Sequence, residues 1–563
     1  MNKQQNTLRW LSRTAGRDKI YVGLLMLVQV LLGVSVVLYA LLLRGLIDEA
    51  VAGSREGLLR NAGLLAALVL GQLALRALSR FLNEFTLSDL ENRFKRRLFS
   101  CLLRRDYAAV TAVHSGEWMN RLTNDTVVVS KSVTEILPKL AGMVVRLISA
   151  IVAILFLEPR FALVLVPGGL ILMVLTYGFR RMLKALHKRI QEADGRLRIF
   201  LQERLASLLV VRSFGAEKNS ETLAEERMGD HRRARMRRNH VSNLCNVGFG
   251  LIIQGAYVGT AVYCAFGLLW GTISYGTLMA ILQLVGQIQS PFAGLSGLVP
   301  QYYGMIASAE RLMEAEAFPE EAGSPRPREE ILAFYRQDFR ALGLENACFT
   351  YQPPVRREGE TSPMPVVLSD LSLQIRKGEY VAFTGHSGSG KSTVLKLLMS
   401  LYPLDSGERY LESDRGRETL DASWRGLFAY VPQGNQLLSG SIREVVAFGD
   451  PGRMADEALL RRALRVACAE EFVNALDKGL DSPLGEGGAG LSEGQMQRIA
   501  IARAIASDRP ILLLDEATSS LDAETERQVL RNLREMTERT VLIVTHRPAA
   551  LELCDKRIEL AGE

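Results

Sequence analysis

Cysteine is scarce in this chain of 563 residues: six are scattered along it, at Cys101, Cys245, Cys264, Cys348, Cys468 and Cys554, with no C-x-x-C pair. That spacing offers no disulfide framework and fits small buried thiols in a reducing compartment. A cleavable signal is lacking as well. Residues 6–17, Asn-Thr-Leu-Arg-Trp-Leu-Ser-Arg-Thr-Ala-Gly-Arg, are amphipathic and basic, and no small-residue cleavage pattern closes the apolar run behind them. They read instead as a helix lying on the inner face of a membrane. A concentrated basic surface is missing too, because the formal charge of +7 sits largely in segments flanking apolar runs, where the positive-inside rule accounts for it. That argues against nucleic acid as a partner. Proline is absent from 87–107 and from 194–228, so nothing there interrupts a helix.

What is present divides the chain in two. A hydrophobic content of 48% beside 23% charged residues points to a membrane half joined to a soluble half, and the length exceeds one ordinary core. Six apolar stretches of spanning length lie near 20–43, 62–82, 139–157, 161–179, 245–270 and 276–298. Pro167 and Pro291 fall inside them, which membrane helices tolerate. The gaps at 83–138 and 180–244 are long and carry Lys95-Arg96-Arg97, Arg104-Arg105, Arg180-Arg181 and Arg232-Arg233, which assigns them and both termini to the cytoplasm. Helical periodicity at 87–107 and 194–228 makes these gaps arms that project from the membrane, about 30 Å for about 20 residues. The expected organisation is a transmembrane domain over 1–315, a linker broken by Pro319, Gly323, Pro325 and Pro327 over 316–340, and an α/β domain over 341–563. A proline- and charge-rich insert, 352–365, reads as a mobile hairpin extension. Arg76 and Arg146 fall within the second and third spans. Such residues either snorkel to the headgroups or face a water-filled cavity that attracts an anionic group.

The chemistry gathers around Gly385-His386-Ser387-Gly388-Ser389-Gly390-Lys391-Ser392-Thr393, between a β-rich run and an apolar helical pattern. This is the G-x-x-x-x-G-K-[ST] spacing, in which backbone N–H groups at a helix N-terminus face a polyphosphate. The glycines let the backbone wrap closely, Lys391 reaches the β/γ-phosphates, and Ser392 can offer an oxygen to Mg²⁺. An ordinary glycine-rich turn is the bland alternative. Downstream, the buried strand Ile511-Leu-Leu-Leu-Asp515-Glu516 ends in two carboxylates. Asp515 fits the acid that holds Mg²⁺ through water, and Glu516 is placed to take a proton from the attacking water; capping of the next helix is the competing reading. Strand 541–545 ends at His546, suited to the γ-phosphate.

The order of these motifs, with Gln433 in Tyr-Val-Pro-Gln, Leu491-Ser-Glu-Gly-Gln495 and Ser520-Leu-Asp522, resembles the ABC ATPases, and Ser115–Asp125 and Glu203–Glu217 resemble the cytoplasmic arms of six-span ABC exporters. The resemblance, of the exporter-type (type IV) half-transporter, covers nearly the whole chain. It implies an all-α six-span transmembrane domain with long cytoplasmic arms, fused to an α/β P-loop ATPase on the cytoplasmic side of the cell membrane, with ATP and Mg²⁺ as cofactors. It further implies that Tyr351 stacks on adenine and that Gln433 touches Mg²⁺. Ser492 and Gly494, with Gln495 beside them, would contact the γ-phosphate of ATP held by a second half-transporter subunit, with Asp522 across the same interface. Turns near 109–116 and 212–218 would couple the arms to the ATPase domains. The implied activity is ATP-driven export or flipping of an amphiphile such as a peptide, drug or lipid by alternating access. The partner subunit is a second copy or a different chain. A regulatory member that binds ATP without hydrolysis is the alternative, and Glu516 with His546 argues against it. Two departures stand out: Glu493 occupies a position where the signature usually has glycine, and the chain stops at Glu563, short of the family's usual C-terminal extension.

Overall fold

The computed structural model describes residues 2–161, 185–321, 323–351, 366–434, 436–488, 490–536 and 538–560. They gather into two compact units, Met1–Arg97 with Arg121–Met313, and Leu98–Asn120 with Glu314–Glu563.

The first unit is helical. Arg55–Leu102 has 48 residues, and at 1.5 Å per residue that is about 72 Å, more than twice a hydrocarbon layer of about 30 Å. Four helices among the described residues are long and apolar enough to cross a membrane: Asp18–Val51, Arg55–Leu102, Ser115–Leu157 and Glu217–Leu269. They contain the spans expected at 20–43, 62–82 and 139–157, and all but the last residue of the one expected at 245–270. The span expected at 276–298 lies within helix Tyr275–Ala317, which is not one of the four. The one expected at 161–179 lies, beyond Phe161, outside the described residues. Leu27, Leu31, Leu38, Leu70, Leu73 and Ile148 are all exposed on these helices. In water that surface would invite aggregation, whereas in hydrocarbon it is the natural exterior.

Small residues let the helices approach. A Cβ on Gly33 would lie 3.1 Å from the Gly142 carbonyl oxygen, and one on Gly142 would lie 3.2 Å from that of Gln29. Val37, Ala40, Ala150, Ile154, Ile281 and Leu284 form a buried cluster from three helices. A π turn at Arg121–Asp125 opens helix Thr126–Leu157. Asp125 is fully buried there and accepts from Ser308 Oγ at 2.8 Å and Arg311 Nε at 2.8 Å, while Arg121 Nη1 donates to the Arg311 carbonyl at 2.9 Å. At the amino end, helix Asn2–Ala15 buries Leu11 and Ala15, and Trp10 packs on Phe94 with centroids 5.7 Å apart.

The second unit is α/β. Its parallel sheet has the order β11-β3-β10-β9-β6, from β3 (Tyr380–Thr384), β6 (Phe428–Val431), β9 (Ile511–Asp515), β10 (Thr540–Val544) and β11 (Lys556–Glu559). Every residue of β3, β9 and β10 is buried, as expected of parallel strands covered on both faces. An antiparallel sheet, β2-β1-β4-β5, comprises β1 (Phe339–Phe349), β2 (Leu368–Arg376), β4 (Ser406–Ser413) and β5 (Gly416–Thr419). Between the sheets Phe339, Leu342, Phe383, Val394, Leu395 and Leu398 build the core.

Part of the stretch expected as a linker, 316–340, is helical. Residues Arg328–Gln337 form a helix that starts directly after Pro327, buries Ile331 and Tyr335, and sets Phe334 against Trp424 with centroids 4.4 Å apart. The prolines all precede the helix, where the fixed φ is compatible with its first turn. Ile331 and Tyr335 at i, i+4 spacing supply the apolar face that the proline count obscured. The insert at 352–365 lies outside the described residues. Leu98–Asn120 also belongs to this unit: Trp118 Nε1 donates to the Val110 carbonyl at 3.0 Å, its ring meets Phe318 edge-on, and Tyr107 meets Tyr402 edge-on at 5.6 Å.

Candidate functional site

The chain after β3 turns through Gly385, Gly388 and Gly390, at φ +138°, +86° and +86°, before helix Lys391–Leu398 begins. These are conformations that side chains resist. A Cβ on Gly385 would also stand 2.5 Å from the Leu560 carbonyl oxygen, and one on Gly390 would stand 2.8 Å from Leu368 Cδ2. The Lys391 side chain turns back over this loop and donates to the carbonyls of Gly385 at 2.9 Å and His386 at 2.7 Å. Ser389 is buried beneath the loop, while His386, Ser387 and Gly388 are exposed on it.

Ligands bind at the carboxyl ends of parallel strands, and here three neighbouring strands, β3, β10 and β9, deliver the loop, His546 and the acid pair. Asp515 is 1% exposed; Ser392 Oγ donates to its Oδ1 at 2.7 Å and the Tyr430 hydroxyl donates to its Oδ2 at 3.0 Å. Burial pushes this carboxyl above the usual aspartate range, and the two hydrogen bonds oppose the shift. Glu516 follows with φ +51°, a left-handed backbone for a side-chain-bearing residue, and its N–H donates to the Val544 carbonyl at 3.1 Å. That turn swings the carboxylate out of the strand direction, where Gln433 Nε2 donates to it at 2.8 Å. His546 is exposed just past β10. A hydroxyl and a carboxylate at hydrogen-bonding distance beside a phosphate-sized cradle are hard oxygen donors. They fit Mg²⁺, which takes one or two protein oxygens and completes its shell with water and phosphate. No cluster of three or more His, Cys, Asp or Glu suited to a metal occurs among the described residues.

Tyr351 lies half-buried at the rim, edge-on to Phe349 and Tyr402, and its hydroxyl pairs with Thr393 Oγ1 at 3.0 Å. Ser392, Asp515, Gln433, Glu516, Thr393 and Tyr351 are thus tied by hydrogen bonds to one another or to the loop helix. Ser492, Gly494, Gln495 and Asp522 form a separate group. Ser492 caps helix Glu493–Ala506 through a reciprocal pair with Gln495, and Asp522 caps helix Ala523–Arg534. The Thr525 and Glu524 N–H groups hold the Asp522 carboxyl below its usual range. The two caps adjoin, since a Cβ on Gly494 would meet the Ser520 carbonyl at 2.9 Å and Gln497 Oε1 accepts from Ser520 N at 2.9 Å. Among the described residues no hydrogen bond joins this group to the phosphate loop. Glu493 is exposed at the first turn of its helix, where a carboxylate favours the dipole.

The comparisons with known proteins agree with this geometry. Residues 22–292 match the family model described as ABC transporter transmembrane region, and residues 368–519 match the one described as ABC transporter. A mouse protein named ATP-binding cassette sub-family B member 10, mitochondrial, is 32% identical over 511 residues, spanning 89% of this chain and 69% of its own. The chain belongs to the ABC transporter family. A Pasteurella multocida protein named ATP-dependent lipid A-core flippase is 28% identical over 538 residues, spanning 93% of this chain and 89% of its own. In fold, the transporter resembles a bacterial Atm1-family ABC exporter solved with ATP bound, with a TM-score of 0.76 at 23% identity, covering 97% of this chain and 93% of that one. As a member of the family, the transporter hydrolyses ATP in its α/β unit to drive transport.

A second polar site lies in the helical unit. A cavity of about 300 Å³ is lined by Arg76, Arg80 and Arg146 together with Gln29, Gln72 and Ser79. Gln72 Nε2 donates to Ser35 Oγ at 3.1 Å and Gln29 Nε2 to Ser79 Oγ at 3.2 Å, so the wall is polar and cross-linked. Arg76 and Arg146, separate in sequence, therefore face one space, joined by Arg80 one helical turn from Arg76.

Tyr430, Tyr402 and Gln497 were not singled out from the sequence. Tyr430 begins the Tyr-Val-Pro-Gln segment, whose glutamine carries the motif. Its position near the end of a strand bordering the Asp515 strand was the available signal, and that adjacency appears only once strand order is known.

Proposed function

We propose that the transporter moves an anionic amphiphile, a molecule with a negatively charged headgroup and an apolar body, outward across the cytoplasmic membrane, with its ATPase unit on the cytoplasmic side and two copies of the chain working together. The observation that carries the substrate class is the cavity lined by Arg76, Arg80 and Arg146. Three arginines lining one polar space within the helical unit concentrate positive charge where an anionic headgroup would be favoured. The relatives named lipid A-core flippases support a lipid-like cargo.

ATP and Mg²⁺ are the cofactors of this reading. The loop from Gly385 to Thr393 cradles the phosphates with Lys391 on the β/γ oxygens, and Tyr351 stacks on adenine. Ser392, Gln433 and Asp515 hold Mg²⁺, which supplies charge neutralisation of the phosphates. Glu516 accepts the proton of the attacking water and His546 steadies the γ-phosphate. Ser492, Gly494, Gln495 and Asp522 serve the nucleotide of the other copy; the exposure of Ser492 and Asp522 supports that role. On the second arm, Leu205, Leu209 and Phe214 stay exposed and offer apolar surface to a partner copy.

The test of the substrate class is ATPase stimulation in lipid nanodiscs by an anionic and by a zwitterionic amphiphile of matched tail. The double variant Arg76→Gln, Arg146→Gln should need about tenfold more of the anionic one for half-maximal stimulation, a loss of about 1.4 kcal/mol, with the zwitterionic response unmoved. An unchanged anionic requirement would sink the proposal. A mass for the solubilised complex equal to one chain would remove the two-copy arrangement.

A further inference from the structure

Asp515 is held from two sides by hydroxyls of different origin. Ser392, which donates to Oδ1, belongs to the phosphate loop and is itself a candidate Mg²⁺ ligand. Tyr430, which donates to Oδ2 at 3.0 Å, belongs to β6, a strand paired in parallel with β9 so that Tyr430 lies opposite Leu513 and Val431 opposite Leu514. A carboxylate turns about a soft, roughly two-fold torsion, so a buried aspartate with one donor has no fixed face. Two donors, one per oxygen, remove that freedom.

We infer that Tyr430 is a positioning residue for the ATPase site: its hydroxyl pins Oδ2 of Asp515 and thereby keeps Oδ1 aimed at Ser392 and the phosphate loop. The inference rests on the reading of Asp515 as the Mg²⁺-side carboxylate. Of the two anchors, only the tyrosine is independent of nucleotide and metal, because the serine oxygen has a second task. The ring also packs against the core between the sheets, which fixes where the hydroxyl points. Partners that orient a metal-side ligand in this way are commonly worth 10–100-fold in metal affinity.

The test uses the full chain in detergent and the fluorescent nucleotide trinitrophenyl-ATP, titrated with Mg²⁺ and, separately, in EDTA. Tyr430→Phe keeps the ring and removes only the hydroxyl. It should raise the Mg²⁺ concentration for half-maximal fluorescence change about tenfold and leave binding in EDTA as in the wild type. Tyr430→Leu, which also lacks the ring, should show the same Mg²⁺ shift. If Tyr430→Phe matches the wild type within twofold while Asp515→Asn abolishes the Mg²⁺ response, the positioning role is overturned and the site reading stands. A shift in Tyr430→Leu alone assigns the residue to packing and also overturns it. If Asp515→Asn leaves the Mg²⁺ response unchanged, the site reading fails and takes this inference with it.

Discussion

Glu516 carries backbone strain of about 1–3 kcal/mol, the usual cost of a left-handed conformation in a residue with a side chain, and its φ of +51° follows directly on the buried Asp515. The strain turns two successive carboxylates in different directions, one into the loop and one towards Gln433. We expect Glu516→Gln to lower steady-state ATP hydrolysis by at least about a hundredfold, the low end of what a positioned base contributes, while trinitrophenyl-ATP still binds. The amide can hold water but cannot take its proton. Near-normal turnover would remove Glu516 from the chemistry. At this scale the sequence was informative wherever spacing is local: the loop from Gly385 to Thr393 and the pair Asp515-Glu516 are contiguous, so their placement at strand ends could be read from the spacing. Tyr430 and Asp515 are separated by 85 residues and meet through the pairing of β6 with β9, which no local pattern announces.

Helix Arg328–Gln337 shows how an element can be hidden by the residues before it. Pro319, Pro325 and Pro327 punctuate the approach, yet Ile331, at 3% exposure, and Tyr335, whose hydroxyl pairs with Thr540 Oγ1 at 2.8 Å, make the helix a wall of the α/β core. Ile331→Ala should destabilise that unit by about 2–5 kcal/mol, the range for buried isoleucine truncation, read as a lower urea midpoint for loss of trinitrophenyl-ATP binding. No change in midpoint would make the helix a passive tether. The same sheet is tied at its far edge by Asp555, which accepts from Tyr380 N at 2.9 Å and from both ends of the Arg534 guanidinium. Those arginine hydrogen bonds hold its carboxyl below the usual 3.8. A carboxyl lowered in the folded state stabilises at pH values above its unfolded pKa and loses that contribution as pH falls through the folded one. Asp555→Asn should therefore lower the melting temperature at pH 7, and the gap to the wild type should close below about pH 4. A gap that stays constant as the pH is taken well below 4 would mean the charge contributes nothing.

For the whole molecule, the fold class and the fused order of units were legible from composition and motif order, because apolar runs and strand-end acids are strong signals. The division of the chain was not, since Leu98–Asn120 joins the C-terminal unit across nearly 200 residues of intervening chain. Packing within the helical unit was likewise invisible until helices were paired: Gly33 and Gly142 mark one close approach of two helix backbones. Gly142→Leu should force those helices apart and lower the melting temperature of the detergent-solubilised protein, with trinitrophenyl-ATP binding retained below the transition. An unshifted transition would mean that the helices do not meet there.

The edge-on pair of Tyr107 and Tyr402 also fixes an order of events during synthesis. Tyr402 leaves the ribosome nearly 300 residues after Tyr107, a wait of roughly 15–60 s at the ordinary pace of about 5–20 residues per second. Trp118 waits less long for Phe318, but for the same reason. Through that interval the Tyr107 ring lacks the aromatic partner it meets in the finished fold. The loop closure itself adds little entropy cost, because that cost grows only with the logarithm of length. Completion of the second unit is thereby made to wait on chain length: its N-terminal piece, Leu98–Asn120, is made first and seats its two rings only when Phe318 and Tyr402 have followed.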